Sequence, residues 1–133
     1  MHKGAIILNE DLPIGLQANI AAVLALSLGK SHPGIVGPNN TTKDNEELNG
    51  ITQIPIPVLK AASSTLSRIY LENKDSDLFV TIFNDSALST KNYNDYTSHL
   101  AETLSEKMEI HGVLLYGENS SVKKVTGNLP LLR

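Results

Sequence analysis

Between Ala18 and Leu28 only Asn19 and Ser27 are polar, within a segment (DLPIGLQANIAAVLALSLGK, residues 11–30) whose Pro13 and Gly15 mark a turn. A helix this apolar around its whole circumference belongs inside a fold, so the segment predicts a central helix that is dry on nearly all sides. It is expected over Leu16 to Lys30, with Gly29 near its end and Lys30 against the negative pole of the helix dipole. It should stop by His32, before Pro33. Asn19, placed in the first turn, is then either a cap on backbone amides or part of a site.

The segment is too short for the ~20 apolar residues that a bilayer requires, and Glu10 and Asp11 precede it where a signal peptide carries basic residues. A soluble, cytoplasmic protein without membrane contact is expected. With 133 residues, 41% of them hydrophobic and 19% charged, residues 1–133 should form one domain around a single core. Cysteine is absent, which excludes disulfides and thiolate chemistry. The net charge is -3, and of the eleven Lys and Arg only Lys123 and Lys124 are adjacent, so nucleic acid is disfavoured as a partner.

Lys3 to Asn9 (KGAIILN) reads as a buried strand, and residues 34–50, rich in turn formers, as a surface loop. Ile51 to Pro57 (ITQIPIP) alternates like a strand, but its prolines place it at a sheet edge. Apolar spacing predicts a helix from Val58 to Glu72 and another, packed on the sheet, carrying Tyr93, Tyr96, Leu100, Leu104 and Met108. Leu78 to Phe83 (LFVTIF) is the strongest strand signal and is expected at the centre of the sheet. Gly112 to Tyr116 supplies another buried strand and Glu118 to Val125 a short helix. Strands alternating with helices predict a three-layer α/β/α fold around a mixed, mainly parallel sheet of about four strands.

Two segments carry a resemblance. GVLLYGENSSVKKVTGNLPLLR resembles the last strand and helix of the type II peptidyl-tRNA hydrolases: Val125-Thr126-Gly127 and Leu129 match, while Asn128 stands where a histidine is usual and Pro130 where a lysine is common. Asp11-Leu12 and Ile20-Ala21-Ala22 resemble that family's first strand-to-helix passage, but its lysine falls on Asn19 or Ala18, and no lysine lies between Lys3 and Lys30. Asn84-Asp85-Ser86-Ala87 loosely resembles its Asp-Ala-Gly turn. Over nearly the whole chain, NIAAVLALSLGK, GIVGP, GITQIPIPVL and VTGNLPLLR resemble the bacterial domain-of-unknown-function family numbered two thousand, grouped structurally with those hydrolases. The resemblance implies a peptidyl-tRNA hydrolase II-like fold and withholds an activity.

What it implies for a site is a cleft near Asn19, Asp85 and Thr126, with Gly15, Asp11 and Asn128 around it, binding a small polar or anionic ligand without the lysine-dependent activity. Asp85 could act as a base or orient a water, giving as an alternative a peptidyl-tRNA or related ester or amide hydrolase. The plainer reading makes Asn19, Asp85 and Thr126 local caps and turns. A third reading is a homodimer formed through the apolar helix or the edge at Ile51 to Pro57. No cofactor motif is present, neither G-x-G-x-x-G nor G-x-x-x-x-G-K-[ST], and no G-x-S-x-G elbow. His2, His32, His99 and His111 lack metal-ligand spacing, so no metal is expected.

Overall fold

The computed structural model describes residues 1–133. Its four-stranded sheet is built from β1 (His2–Asn9), β4 (Val58–Ala61), β5 (Phe79–Asn84) and β6 (Ile110–Glu118), in the order β4-β1-β6-β5. β1 runs parallel to β4, but β6 enters antiparallel between β1 and β5. One parallel pair against two antiparallel pairs makes the sheet mixed, correcting the expectation that it is mainly parallel. The central strands are therefore β1 and β6, whose AIIL and GVLL runs are buried on both faces. LFVTIF, expected at the centre, forms an edge: a β-rich run says that a segment is extended, not how many neighbours it has.

The parity of β1 divides the core. Ala5 and Ile7 pack with Leu66 and Ile69 of α2 (Ser63–Asn73) and Val122 of α5 (Asn119–Thr126), whereas Ile6 and Leu8 pack with Ile20, Leu24 and Leu28 of α1 (Ile14–Ser31). Helices thus cover both faces, as a three-layer arrangement requires. α1 ends at Ser31, with His32 as its C-cap and Pro33 beyond.

α1 is not dry all round. Its buried residues are Gln17, Ile20, Leu24 and Leu28, while Ile14 and Leu26 are 82% and 75% exposed. An outer-layer helix has one neighbour, so only one stripe is covered however apolar the rest is. The helix starts at Ile14 with Pro13 as N-cap, which puts Asn19 in its second turn, exposed, and removes its capping role.

Other boundaries moved for local reasons. Val58–Ala61, expected in a helix, is strand β4, with Leu59 and Ala61 facing the core, and the helix starts only at Ser63. Residues 51–57 form no regular strand; Pro55 and Pro57, which cannot donate, accept at their carbonyls from Gly4 and Ile6 N–H. The stretch expected as a loop carries an exposed hairpin, β2 (Asn40–Thr41) with β3 (Glu47–Leu48), whose turn holds Asn45 at φ 70°. After α3 (Asp85–Ser89), helix α4 (Tyr93–Ala101) has no buried residue and packs on α3, not on the sheet as expected. The C-terminal tail seals the β4 edge, Lys60 N–H donating to Pro130 O and Leu132 N–H to Val58 O.

Candidate functional site at the ends of β1 and β5

Three strands bring polar residues to one end of the sheet. β1 closes on Asn9, β5 on Asn84, and β6 opens between them at Ile110 and His111. Phe83 pairs with Gly112 but Asn84 with Ile110, so His111 is the extra residue of a β-bulge. Bulges of this kind re-aim a side chain. Here the bulge sets a buried imidazole, 5% exposed, opposite Asn9 and beside Asp85.

Asn84 Oδ1 accepts from Ala87 N–H and caps α3, so Asp85 becomes the first residue of that helix rather than its cap. Asp85 N–H donates to Glu109 O at 2.8 Å, which ties the two acidic residues across the strand ends. Ligand atoms of Asp85, Glu109 and His111 consequently all lie within 4.8 Å of one another. His111 Nε2 is 3.7 Å from Asp85 Oδ1, too long for a hydrogen bond, and this buried nitrogen has no other polar partner. The Asp85 side chain is half exposed, so it is the face that the cluster offers to solvent.

Behind the imidazole the hydrogen bonds are complete. Asn9 Nδ2 lies 3.1 Å from His111 Nδ1, Asn9 Oδ1 accepts from Asp11 N–H, and Asn9 O accepts from Gln17 Nε2, each at 3.0 Å. On the other side, a cavity of 170 Å³ is lined by Asp85, Glu109, Lys107 and Ser86 among others. Ser86 is 2% exposed and its Oγ pairs with His99 Nδ1 at 2.6 Å, joining α3 to α4.

Of the residues singled out in the sequence, Asp85 stands in this cluster and Asp11 reaches it through its backbone N–H. The others lie elsewhere. Asn19 and Gly15 are exposed on α1, Thr126 is buried with Oγ1 donating to Val122 O, and Asn128 lines a separate cavity with Arg68 and Lys124. His111, Glu109, Asn9 and Gln17 were missed. Their signal was polar residues at the boundaries of apolar strands, Asn9 after AIIL and His111 before GVLL, which spacing rules do not detect because 24 residues separate Asp85 from Glu109.

A second hollow, of 470 Å³, lies along β5 between Val23 and Ser27 of α1 and Tyr93 and Tyr96 of α4. Burial, then the neighbouring Tyr93, pushes the Tyr96 phenol above its ordinary value.

An uncharacterised protein, Atu0240 from Agrobacterium tumefaciens strain C58, has a similar structure, with a TM-score of 0.88 at 19% identity over 98% of this chain and 96% of that one. At that identity the likeness shows the fold alone. No curated protein matches this sequence. The sequence model of one family, described as Protein of unknown function (DUF2000), matches residues 2–133, and the chain therefore belongs to the DUF2000 family.

Proposed function

We propose that this protein binds a small polar ligand at the end of the sheet, with Asp85 and Glu109 as acceptors. The observation that carries this reading is the convergence of two exposed carboxylates on a buried imidazole nitrogen that has no protein partner. Two carboxylates outweigh Lys107, the one lysine in the same lining, so of the polar and anionic ligands implied by the sequence, the cluster favours a polar one that donates hydrogen bonds. The peptidyl-tRNA hydrolase II likeness belongs to the same reading as a fold without its lysine. Asn19 is exposed and uncharged, and no lysine takes its place in α1 before Lys30. Asp85 is also the base that ester or amide hydrolysis would need, which makes turnover a direct control.

Ethanolamine is expected to raise the midpoint of thermal unfolding in a concentration-dependent way, as any native-state ligand does. The shift should vanish in the Asp85→Asn, Glu109→Gln double variant, whereas acetate gives none. Equal shifts in the parent and the double variant, or stabilisation by acetate alone, would remove the reading. Cleavage of a peptidyl-tRNA, lost in Asp85→Asn, would replace binding by hydrolysis.

One surface favours a homodimer as well. The outward backbone groups of Phe79–Phe83 bond to no protein group, whereas the opposite edge is sealed by the tail. This open strand, FVTIFN, carries no charge, and Val23 and half-buried Ser27 of α1 stand beside it around a hollow whose one charged lining residue is Lys91. Two copies can therefore pair β5 antiparallel about a two-fold axis without like charges meeting on the paired strands, and the occupant is a second copy of the chain. This edge differs from the one at Ile51 to Pro57 expected from the sequence. Sedimentation should show a dimer that Thr81→Lys converts to monomer; a parent protein that stays monomeric at its solubility limit would rule the interface out.

A further inference from the structure

We infer that Asn9 fixes the tautomer of His111, and that this makes the cluster a seat for an organic hydrogen-bond donor, such as an ammonium or hydroxyl group, and not for a divalent metal ion. The ligand class rests on the reading of Asp85 and Glu109 given above; the tautomer does not.

The argument runs outward from the backbone. Asp11 N–H can only donate, so the Asn9 atom facing it at 3.0 Å is the amide oxygen. The amide nitrogen is thereby turned to His111 Nδ1 at 3.1 Å. That nitrogen can only donate, so Nδ1 supplies the lone pair, and the proton of the neutral ring sits on Nε2. Turning the amide over would set the Asn9 NH₂ against the Asp11 N–H and forfeit that bond. A third polar link of Asn9, its carbonyl accepting from Gln17 Nε2, holds the residue in place at the mouth of α1.

Nε2 therefore carries its proton without a hydrogen-bond partner, with Asp85 Oδ1 3.7 Å away. A histidine that ligates a metal through Nε2 needs its lone pair there and a protonated Nδ1 facing an acceptor, which is the arrangement that metal sites secure through the partner of the second nitrogen. Asn9 presents the opposite polarity. Asp85, Glu109 and His111 have the spacing of a metal triad, yet the residue behind the imidazole withholds the third ligand. What remains toward the cavity is a pair of carboxylates with a donor behind Asp85 and Lys107 in the same lining, a set in which the acceptors suit a ligand that brings its own N–H or O–H groups.

Asn9→Asp reverses the polarity, because a carboxylate at this position accepts from Nδ1–H and leaves the lone pair on Nε2. The test is long-range proton–nitrogen NMR of the imidazoles in alkaline buffer, with His111 assigned by its loss in His111→Gln. The parent should show a pyridine-type Nδ1 and a pyrrole-type Nε2, and Asn9→Asp the reverse. Cobalt titration should follow the same switch: Asn9→Asp is expected to gain about 10–100-fold in affinity over the parent, with His111 Nε2 as ligand. Should Asn9→Asp fail to fold, Asn9→Ala, which removes the fixing donor, should give a mixture of tautomers. A parent protein with its proton on Nδ1, a parent that binds cobalt through Nε2, or variants that leave the tautomer unchanged would each overturn the inference. If ethanolamine fails to bind while the tautomer stands, the ligand class falls and the role of Asn9 survives.

Discussion

Leu24→Ala is expected to destabilise the protein by about 2–5 kcal/mol, while Leu26→Ala, two residues along the same apolar run, changes stability by no more than about 0.5 kcal/mol. The sequence gives no reason for the difference, since both leucines sit in AAVLALSL. The cause is the position of the sheet. Leu24 is 1% exposed and wedged among Ile6, Leu8, Phe83 and Leu114, so truncation leaves a cavity whose walls lose their dispersion contacts. Leu26 points away from the sheet and has no such partners. Urea midpoints of the two variants, measured in dilute solution, check this. Similar losses for both would mean that the outer face of α1 is covered in solution; if the Leu26→Ala loss also grew with protein concentration, the cover would be a second copy of the chain.

The same helix shows how far the residues alone could lead. Periodicity locates an element when one face is apolar, but α1 is apolar on every face, so its burial could not be oriented from sequence. Its existence and its end before His32 were legible, because Pro33 closes it whatever surrounds it. Val58–Ala61 failed for a related reason: VLKA satisfies both a two-residue and a helical period, and pairing with β1 decided between them. In the candidate site, Asp85 was legible as an acidic residue after a strong strand. His111 was not, since its importance comes from a bulge that breaks the phase of β6 and from Asn9, 102 residues away. A site assembled from strand ends depends on strand order, and strand order is a property of the whole chain.

That order also makes one glycine expensive to replace. Gly112 lies on β6 against α1, and a Cβ there would stand 2.6 Å from Ile20 Cγ2, with Leu24 Cδ1 at 3.1 Å and Leu8 Cδ2 at 3.3 Å. All three side chains are fully buried, so none can swing into solvent. Gly112→Ala gains some stability by restricting the unfolded chain, about 0.4–1 kcal/mol where the native site accepts the methyl group. Overpacking outweighs it here, and a net loss of about 1–3 kcal/mol is expected. The offending atom can be removed without changing volume: leucine lacks the β-branch, so Ile20→Leu takes Cγ2 away and alone should cost less than about 1.5 kcal/mol. The double variant should then be more stable than the sum of the two losses, by a coupling of about 0.5–3 kcal/mol, which is the size that contacting residues show. Four urea curves measure it. Strict additivity would mean that the methyl group is accommodated by a shift of α1 as a whole, and that the close approach of helix to strand is not what keeps position 112 free of a side chain.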